Sequence, residues 1–195
     1  MARPPHARER VLDAYEVILI DEGERAATLD ATARAADVSK GGLLYHFASK
    51  DDLVAGLIQR LDDQLEADVT AMNTAPEGVV AYYLRTSVIN DNPLEHPLDR
   101  CFIAVTRLAQ GGDESAAEAL RRVRARWADT IRPHVRDEAA LALVMLVSDG
   151  LYFNNALDAG NLGGPVPRGH ELDALIALVQ TSSAPSEATG SAAAV

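Results

Sequence analysis

The chain has 195 residues, a single cysteine and a formal net charge of −11. A chain of this length buries roughly 70% of its unfolded surface and so needs neither a disulfide nor a metal to fold, and one cysteine excludes an intramolecular disulfide and a cysteine-rich zinc site. The acidic balance excludes a broad, nonspecific nucleic-acid-binding surface, but it is compatible with a small docking face of locally positive charge.

The composition also predicts the compartment and the fold class. The start of the chain lacks the hydrophobic core of a signal peptide, and no apolar run approaches the roughly 20 residues that span a bilayer. We therefore expect a soluble, cytoplasmic protein without a membrane partner. Alanine, leucine, arginine and glutamate dominate and alternating β-branched runs are scarce, which predicts an all-α fold.

The first predicted helix spans residues 6–22, and Gly23 lies where a helix stop is expected. Thr28 is predicted as the N-cap of a short helix over residues 29–36. A second short helix is predicted over residues 40–47. Apolar residues recur at helical spacing in the first helix; they are Val11, Leu12, Tyr15, Ile18 and Leu19.

A long helix follows, with Ser49 as its predicted cap and two aspartates in its first turn. It is predicted to cover residues 50–72. The remaining predicted helices cover residues 77–90, 101–109, 114–131, 137–157 and 168–180. The small, polar, proline-containing tail from residue 182 to residue 195 is predicted to be disordered.

The stretch SKGGLLYHFASKDDL, residues 39–53, holds both lysines of the chain, whereas the other sixteen basic residues are arginines. Two short helices joined by a tight turn and packed on a longer helix describe a helix-turn-helix, whose second helix enters the major groove of DNA. Leu43 and Phe47 are four residues apart and are expected to pack inward. We expect Lys40, Leu44, Tyr45 and His46 to face outward.

The glycine pair and the lysines carry the nucleic-acid interpretation. Gly41 and Gly42 each cost roughly 1 kcal/mol against alanine in a helix, which is reasonable if a phosphate or base edge approaches the backbone closely. Lys40 and Lys50 can meet phosphates as point charges. The alternative is that both lysines are ordinary exposed residues at helix starts, although lysine there opposes the helix dipole.

The segment from Thr28 to Leu53, including ATARAADVSKGGLLYHFASKDDL, resembles the DNA-binding signature of the TetR/AcrR family of bacterial transcriptional regulators. The shared features are a threonine cap, a helix of small residues, a valine-serine turn, a glycine-rich helix start, an aromatic and histidine core, and a closing lysine. The segment covers 26 of the 195 residues, about an eighth of the chain. Gly42 stands where many members carry a small polar residue or threonine.

The resemblance implies a homodimer with a helix-turn-helix DNA-binding domain over residues 1–52 and a ligand-binding and dimerisation domain over residues 53–181. The implied partners are double-stranded operator DNA and a small-molecule effector, with no cofactor and no metal. Arg3, Arg8 and Arg10 would add positive charge. The implied DNA-binding residues are Thr28, Ser39, Lys40, Gly41, Gly42, Leu44, Tyr45, His46 and Lys50.

The C-terminal half is expected to enclose an apolar pocket with a few polar groups. Its candidates, each of which is also compatible with an ordinary core role, are Tyr83, Ser87, Cys101, Phe102, Thr106, Trp127, Asp149, Tyr152, Phe153 and Asn154. Asp149 interrupts a very apolar helix, so its carboxylate must be paired, exposed or functional.

The helices over residues 137–157 and 168–180 are the pair that the resemblance implies for dimerisation. A stripe of apolar residues on such helices is also compatible with intramolecular core. The candidates for interface or core are Leu143, Val144, Leu146, Val147, Leu151, Leu172, Leu175, Ile176 and Val179.

The function expected is a ligand-responsive regulator, a repressor released from a pseudo-palindromic operator by a small hydrophobic or amphipathic effector. One alternative is a helical small-molecule carrier without specific DNA binding, which the charge of −11 and the glycine pair would suit. A small helical enzyme is a third class. No HExxH, GxSxG or Walker A pattern is present, so no catalytic residue is expected.

Overall fold

A computed structural model describes residues 7–88, 96–158 and 164–185, with the backbone alone for residues 156–158. Within these ranges the chain is all-helical, without a β-strand, as the composition predicts. No helix there is long and apolar enough to cross a membrane. The helices are α1 (Ala7–Asp21), α2 (Leu29–Ala35), α3 (Lys40–His46), α4 (Lys50–Thr74), α5 (Val79–Thr86), α6 (Pro97–Gln110), α7 (Glu114–Ile131), a 3₁₀ turn (Arg132–His134), α8 (Glu138–Asp158) and α9 (His170–Ser183).

The chain divides into two compact units, each assembled from two separate stretches. Unit 1 comprises residues 1–68 and 92–125, and unit 2 comprises residues 69–91 and 126–195. The long helices α4 and α7 therefore each contribute to both units. The predicted domains divide the chain by sequence signature instead, and that division stays a prediction.

Several helix bounds differ from the predicted ones for local backbone reasons. Helix α6 begins at Pro97 and not at residue 101, because a proline in the first turn gives up an amide that has no helical partner. Gly78, at φ +88°, precedes α5, and Gly169, at φ +53°, precedes α9. Helix α9 continues to Ser183, so the first residues of the predicted disordered tail are helical, and residues 186–195 lie outside the described residues.

The predicted turn signals of unit 1 have the expected geometry. Gly23 adopts φ +84° and donates its amide to the Ile18 carbonyl at 3.1 Å, which ends α1. At the start of α4 the Asp52 amide donates to Ser49 Oγ at 3.1 Å, while the Ser49 amide donates to Asp52 Oδ2 at 2.9 Å. This reciprocal pair is a capping box, and it fixes where α4 leaves the turn after α3.

The apolar face of α3 is anchored in the core of unit 1. Leu43 and Phe47 are buried, as their spacing predicts, and Leu12 of α1 is fully buried nearby. A side chain at Gly56 of α4 would place its Cβ 2.6 Å from the Phe47 ring, so only glycine allows this close packing. Burying Leu43 and Phe47 fixes which face of α3 points outward.

A buried carboxylate joins three helices of unit 1. Glu16 of α1 has no solvent exposure and accepts hydrogen bonds from Arg60 of α4 at 2.8 Å and from Arg100 of α6 at 2.6 Å. Arg60 also contacts Asp13 at 2.8 Å and Glu9 at 2.6 Å. Burial lowers the Arg60 pKa, but hydrogen bonds with Glu16 and Glu9 more than offset it and leave the pKa raised. The guanidinium therefore keeps its charge.

Candidate functional site

The outer face of α3 is exposed to solvent. Tyr45 is 70% exposed and Leu44 is 38% exposed, and Lys40 and Gly41 are also exposed. A short helix that offers two large, partly apolar side chains to solvent has surface available for a partner. The structure thus brings four of the predicted DNA-binding residues onto one face.

His46 is less exposed than predicted. Its ring stacks edge-on against Tyr45 with centroids 5.1 Å apart, and its Nε2 is buried with no hydrogen-bond partner among the described residues. An open groove of about 470 Å³ lies beside it, lined in part by Arg8, Tyr45 and Gln59. His46 therefore faces this groove and does not project from the helix as Tyr45 does.

Thr28 and Ser39 cap the two short helices. Thr28 Oγ1 accepts a backbone amide of α2 at 3.2 Å, and Ser39 Oγ accepts the Gly42 amide at 3.0 Å. In each contact the hydroxyl oxygen is the acceptor, so its hydrogen is left over for a further partner. Both caps can therefore donate to an acceptor such as a phosphate oxygen while they hold the helix ends.

The two glycines of α3 have different surroundings. A Cβ built on Gly41 meets no atom within 4 Å, whereas a Cβ on Gly42 would lie 3.1 Å from Ser39 Oγ. Gly42 is thus restricted by the capping side chain. Nothing within the described part of the chain requires glycine at Gly41, although glycine costs roughly 1 kcal/mol there against alanine.

Both lysines are paired with carboxylates of unit 1. Lys40 Nζ lies 2.9 Å from Asp30 Oδ1 at the start of α2. Lys50 contacts the carboxylate of Glu24 and also donates to the Glu24 carbonyl at 3.3 Å. Lys50 is therefore a structural tie between the α1–α2 loop and α4. From the sequence, both lysines were expected to bind phosphate, and these carboxylate partners were not predicted.

Arginines that the sequence interpretation left out supply cations without ion-pair partners. Arg25 and Arg34 are exposed and, like Arg10, have no ion-pair partner among the described residues. Arg8 instead pairs with Glu9 at 2.9 Å and lies 5.4 Å above the Phe47 ring, and Arg3 is outside the described residues. Their basic side chains, just before α2 for Arg25 and inside it for Arg34, were the signal that could have found them.

Among the effector candidates of unit 2, Tyr83, Ser87 and Trp127 lie together, whereas Phe153 is on the surface. The rings of Tyr83 and Trp127 lie 5.9 Å apart, and Ser87 Oγ bonds the Tyr83 carbonyl at 2.8 Å and Ser148 Oγ at 2.7 Å. Phe153 is 62% exposed. The sequence interpretation missed Ser148, whose hydroxyl is buried beside Ser87.

The other candidates of unit 2 lie on α8. Asn154 donates to the Pro165 carbonyl at 3.2 Å and accepts the Gly164 amide at 3.3 Å, which ties α8 to the segment before α9. Asp149 and Tyr152 are partly buried in α8. All three assignments to an effector site stay predictions.

Three candidates lie on α6, which belongs to unit 1. Cys101 is fully buried with Sγ 3.6 Å from the Leu57 carbonyl, and burial raises the pKa of its thiol. Thr106 bonds the Phe102 carbonyl of its own helix at 2.8 Å. Cys101 thus has the surroundings of a core residue, and the effector roles of all three stay predictions.

Helices α8 and α9 both carry exposed apolar residues, here together called the α8–α9 face. It consists of Leu143, Leu146, Phe153 and Leu178, which are 36%, 66%, 62% and 64% exposed. Other members of the predicted stripe are buried core; they are Val144, Leu151, Leu172, Ile176 and Val179. The candidates for interface or core therefore divide into buried and exposed residues, and the exposed Leu178 was not among them.

Comparison with known proteins gives matches over most of the chain. Residues 11–57 match the family model for bacterial regulatory proteins of the tetR family, and residues 77–180 match the tetracyclin repressor-like C-terminal domain. SrpR, an HTH-type transcriptional regulator of Pseudomonas putida, is 32% identical over 69 residues. That match covers 35% of this chain, and the chain spans only about a third (32%) of SrpR.

Solved structures share the fold. GusR of Salmonella enterica superposes with a TM-score of 0.64 at 18% identity, covering 93% of this chain and 97% of GusR. The multidrug binding protein EbrR, complexed with imidazole, gives 0.57 at 23% identity, covering 95% and 94%. The C-terminal family model alone spans more than half of the residues. The chain belongs to the tetR family of bacterial regulatory proteins.

Proposed function

We propose that the protein is a transcriptional regulator that acts in the cytoplasm by binding double-stranded DNA through α3. The observation that carries this proposal is the outer face of α3, where Gly41, Leu44 and Tyr45 are exposed while Leu43 and Phe47 are locked in the core. A second helix of a helix-turn-helix uses this kind of face to reach base edges in the major groove. Thr28, Ser39, Arg25 and Arg34 surround the contact with donors for phosphate.

The α8–α9 face supports a homodimer. Leu146, Phe153 and Leu178 are exposed apolar residues that a second copy of the chain would cover. A two-fold dimer presents two α3 helices, so its operator is a pseudo-palindrome with half-sites about 34–36 Å apart or a multiple of that. The regulator in this proposal is a repressor.

A small hydrophobic or amphipathic effector would release the operator. The buried cluster of Tyr83, Trp127 and Ser87 supports this class of ligand, because it combines two aromatic rings with a hydroxyl. EbrR, a multidrug binding protein of the same fold, is seen with imidazole. The effector acts only through its differential affinity for the DNA-binding and released conformers.

A selection experiment tests the proposal. The purified protein is incubated with random-sequence DNA at fixed salt, and bound fragments are recovered and sequenced. We expect enrichment of one inverted repeat, and we expect Tyr45→Ala to lose that enrichment. A small-molecule carrier would bind effector candidates without enriching any sequence, and that outcome would replace the proposal with the carrier function.

A further inference from the structure

Asp30 is a carboxylate placed at the nucleic-acid-facing end of the helix-turn-helix. It lies in the first turn of α2 and contacts Lys40, the first residue of α3, through both of its oxygens. Lys40 Nζ is 2.9 Å from Oδ1 and 3.2 Å from Oδ2. A negative charge here opposes the approach of a polyanion, so its presence beside Lys40 needs an explanation.

The ion pair itself contributes little to fold stability. The Asp30 and Lys40 side chains are 59% and 60% exposed, and such surface pairs contribute only about 0–1 kcal/mol. Asp30 would be favourable near the N-terminus of α2 without any partner. Lys40 near the N-terminus of α3 is unfavourable by the same dipole, and the pairing compensates for it. The pair therefore keeps a lysine where the helix alone would disfavour one.

We propose that Asp30 is a positioning residue that directs Lys40 to a guanine of the operator, an inference that rests on the proposed function. An ammonium has three donors, and two carboxylate contacts leave at least one for the DNA. Guanine presents O6 and N7 as acceptors in the major groove, and lysine is one of its usual partners. The Asp30 carboxylate repels phosphates, so it keeps Lys40 off the backbone.

The different surroundings of the basic side chains support this role. Arg25 and Arg34 have no carboxylate partner among the described residues and are the side chains suited to phosphate. Lys40 with Asp30 is a neutral pair and adds little to nonspecific affinity. Removing the Asp30 charge should free Lys40 to bind phosphate, which raises affinity for every DNA and weakens discrimination.

The test compares Asp30→Asn with Asp37→Asn. Asp37 lies in the turn between α2 and α3 at φ +52°, a conformation that asparagine tolerates, and it has no ion-pair partner among the described residues. Both variants remove one negative charge from the same region. The probe is a 30-base-pair fragment (about three helical turns) that the parent protein selects from random DNA, with each G·C pair of a half-site changed in turn to A·T.

We expect Asp30→Asn to bind all fragments more tightly, to show a steeper salt dependence by about one phosphate contact per half-site, and to lose about tenfold discrimination at one guanine. Asp37→Asn should change affinity uniformly and keep the discrimination. In a Lys40→Ala background the Asp30→Asn effect on discrimination should vanish. Identical behaviour of the two aspartate variants would overturn the inference alone, whereas failure of the parent to select any sequence would overturn the proposed function with it.

Discussion

At the scale of single residues, a substitution at Gly41 should change stability and DNA affinity in opposite directions. Its Cβ position is empty and its backbone is helical, so Gly41→Ala should fit without strain. We expect this variant to raise the free energy of unfolding by roughly 0.5–1 kcal/mol and to weaken operator binding, because the added methyl occupies the space that DNA needs. Chemical denaturation and fluorescence anisotropy measure the two effects on the same preparation.

Gly42→Ala is the matched control for that change. Its Cβ would lie 3.1 Å from Ser39 Oγ, so the capping side chain must shift and much of the stability gain should be lost. If Gly41→Ala binds DNA like the parent, the outer face of α3 near Gly41 does not contact DNA.

Alanine substitutions of Tyr45 and Lys50 are expected to differ in their effect on stability. Tyr45→Ala should lower operator affinity by about tenfold and leave thermal stability nearly unchanged, because the ring is 70% exposed. Lys50→Ala should lower affinity and also cost about 1 kcal/mol of stability, because it breaks the tie to Glu24. Calorimetry measures the change in stability, and anisotropy measures the change in operator affinity. If both variants bind operator as tightly as the parent does, neither residue contacts DNA.

Local spacing predicted the residue roles that depend on neighbours in sequence. Leu43 and Phe47 were predicted to be buried from their four-residue separation, and Thr28 was predicted as a cap from residue type. The partner of Lys50 could not be predicted in this way. Glu24 lies 26 residues earlier, and only the packing of α1, α2 and α4 brings it to the lysine.

At the scale of helices, the Glu16 cluster is the strongest polar tie of unit 1. Glu16→Gln keeps the shape of the side chain but removes the charge that balances Arg60 and Arg100. We expect a loss of about 3 kcal/mol in the free energy of unfolding, because a buried pair loses one partner while two guanidiniums stay. Urea denaturation measures it.

Glu22→Gln, at an exposed position just after α1, is the control for charge alone and should change stability by less than about 0.5 kcal/mol. Similar denaturation midpoints for Glu16→Gln and the parent would show that the cluster adds no net stability.

The α8–α9 face is the second feature of this scale. Leu146→Asp together with Leu178→Asp should convert the dimer to monomer at micromolar concentration, because each aspartate would be buried without a partner in the interface. Sedimentation equilibrium measures the mass. The control is Val17→Asp, at an exposed apolar position on α1, which should leave the mass unchanged. If the double variant is still a dimer, the interface lies elsewhere.

Helix positions were predicted well where stop and start signals are local. Helix α7 has the predicted bounds, Glu114–Ile131, between a glycine pair and a proline. Which apolar residues of α8 and α9 are core could not be predicted, because Val144 and Leu146 look alike in sequence. Their exposed fractions, 0% for Val144 and 66% for Leu146, depend on how α5, α8 and α9 pack.

At the scale of the whole molecule, a chain of net charge −11 must meet DNA with a small, arranged set of donors. The family and the all-α fold could be predicted because the helix-turn-helix signature is contiguous. The two compact units could not, because each combines stretches far apart in the chain. The candidates for an effector site could not be narrowed from the sequence either, and they fall in both units.

The most direct measurement is fluorescence anisotropy of labelled DNA from the region flanking the gene for this protein, titrated at fixed salt with excess competitor DNA. We expect competitor-resistant binding by the parent and at least about tenfold weaker binding by Tyr45→Ala. If competitor abolishes binding, and Tyr45→Ala matches the parent on this DNA and on fragments selected from random sequence, α3 is not a sequence-specific DNA-binding helix.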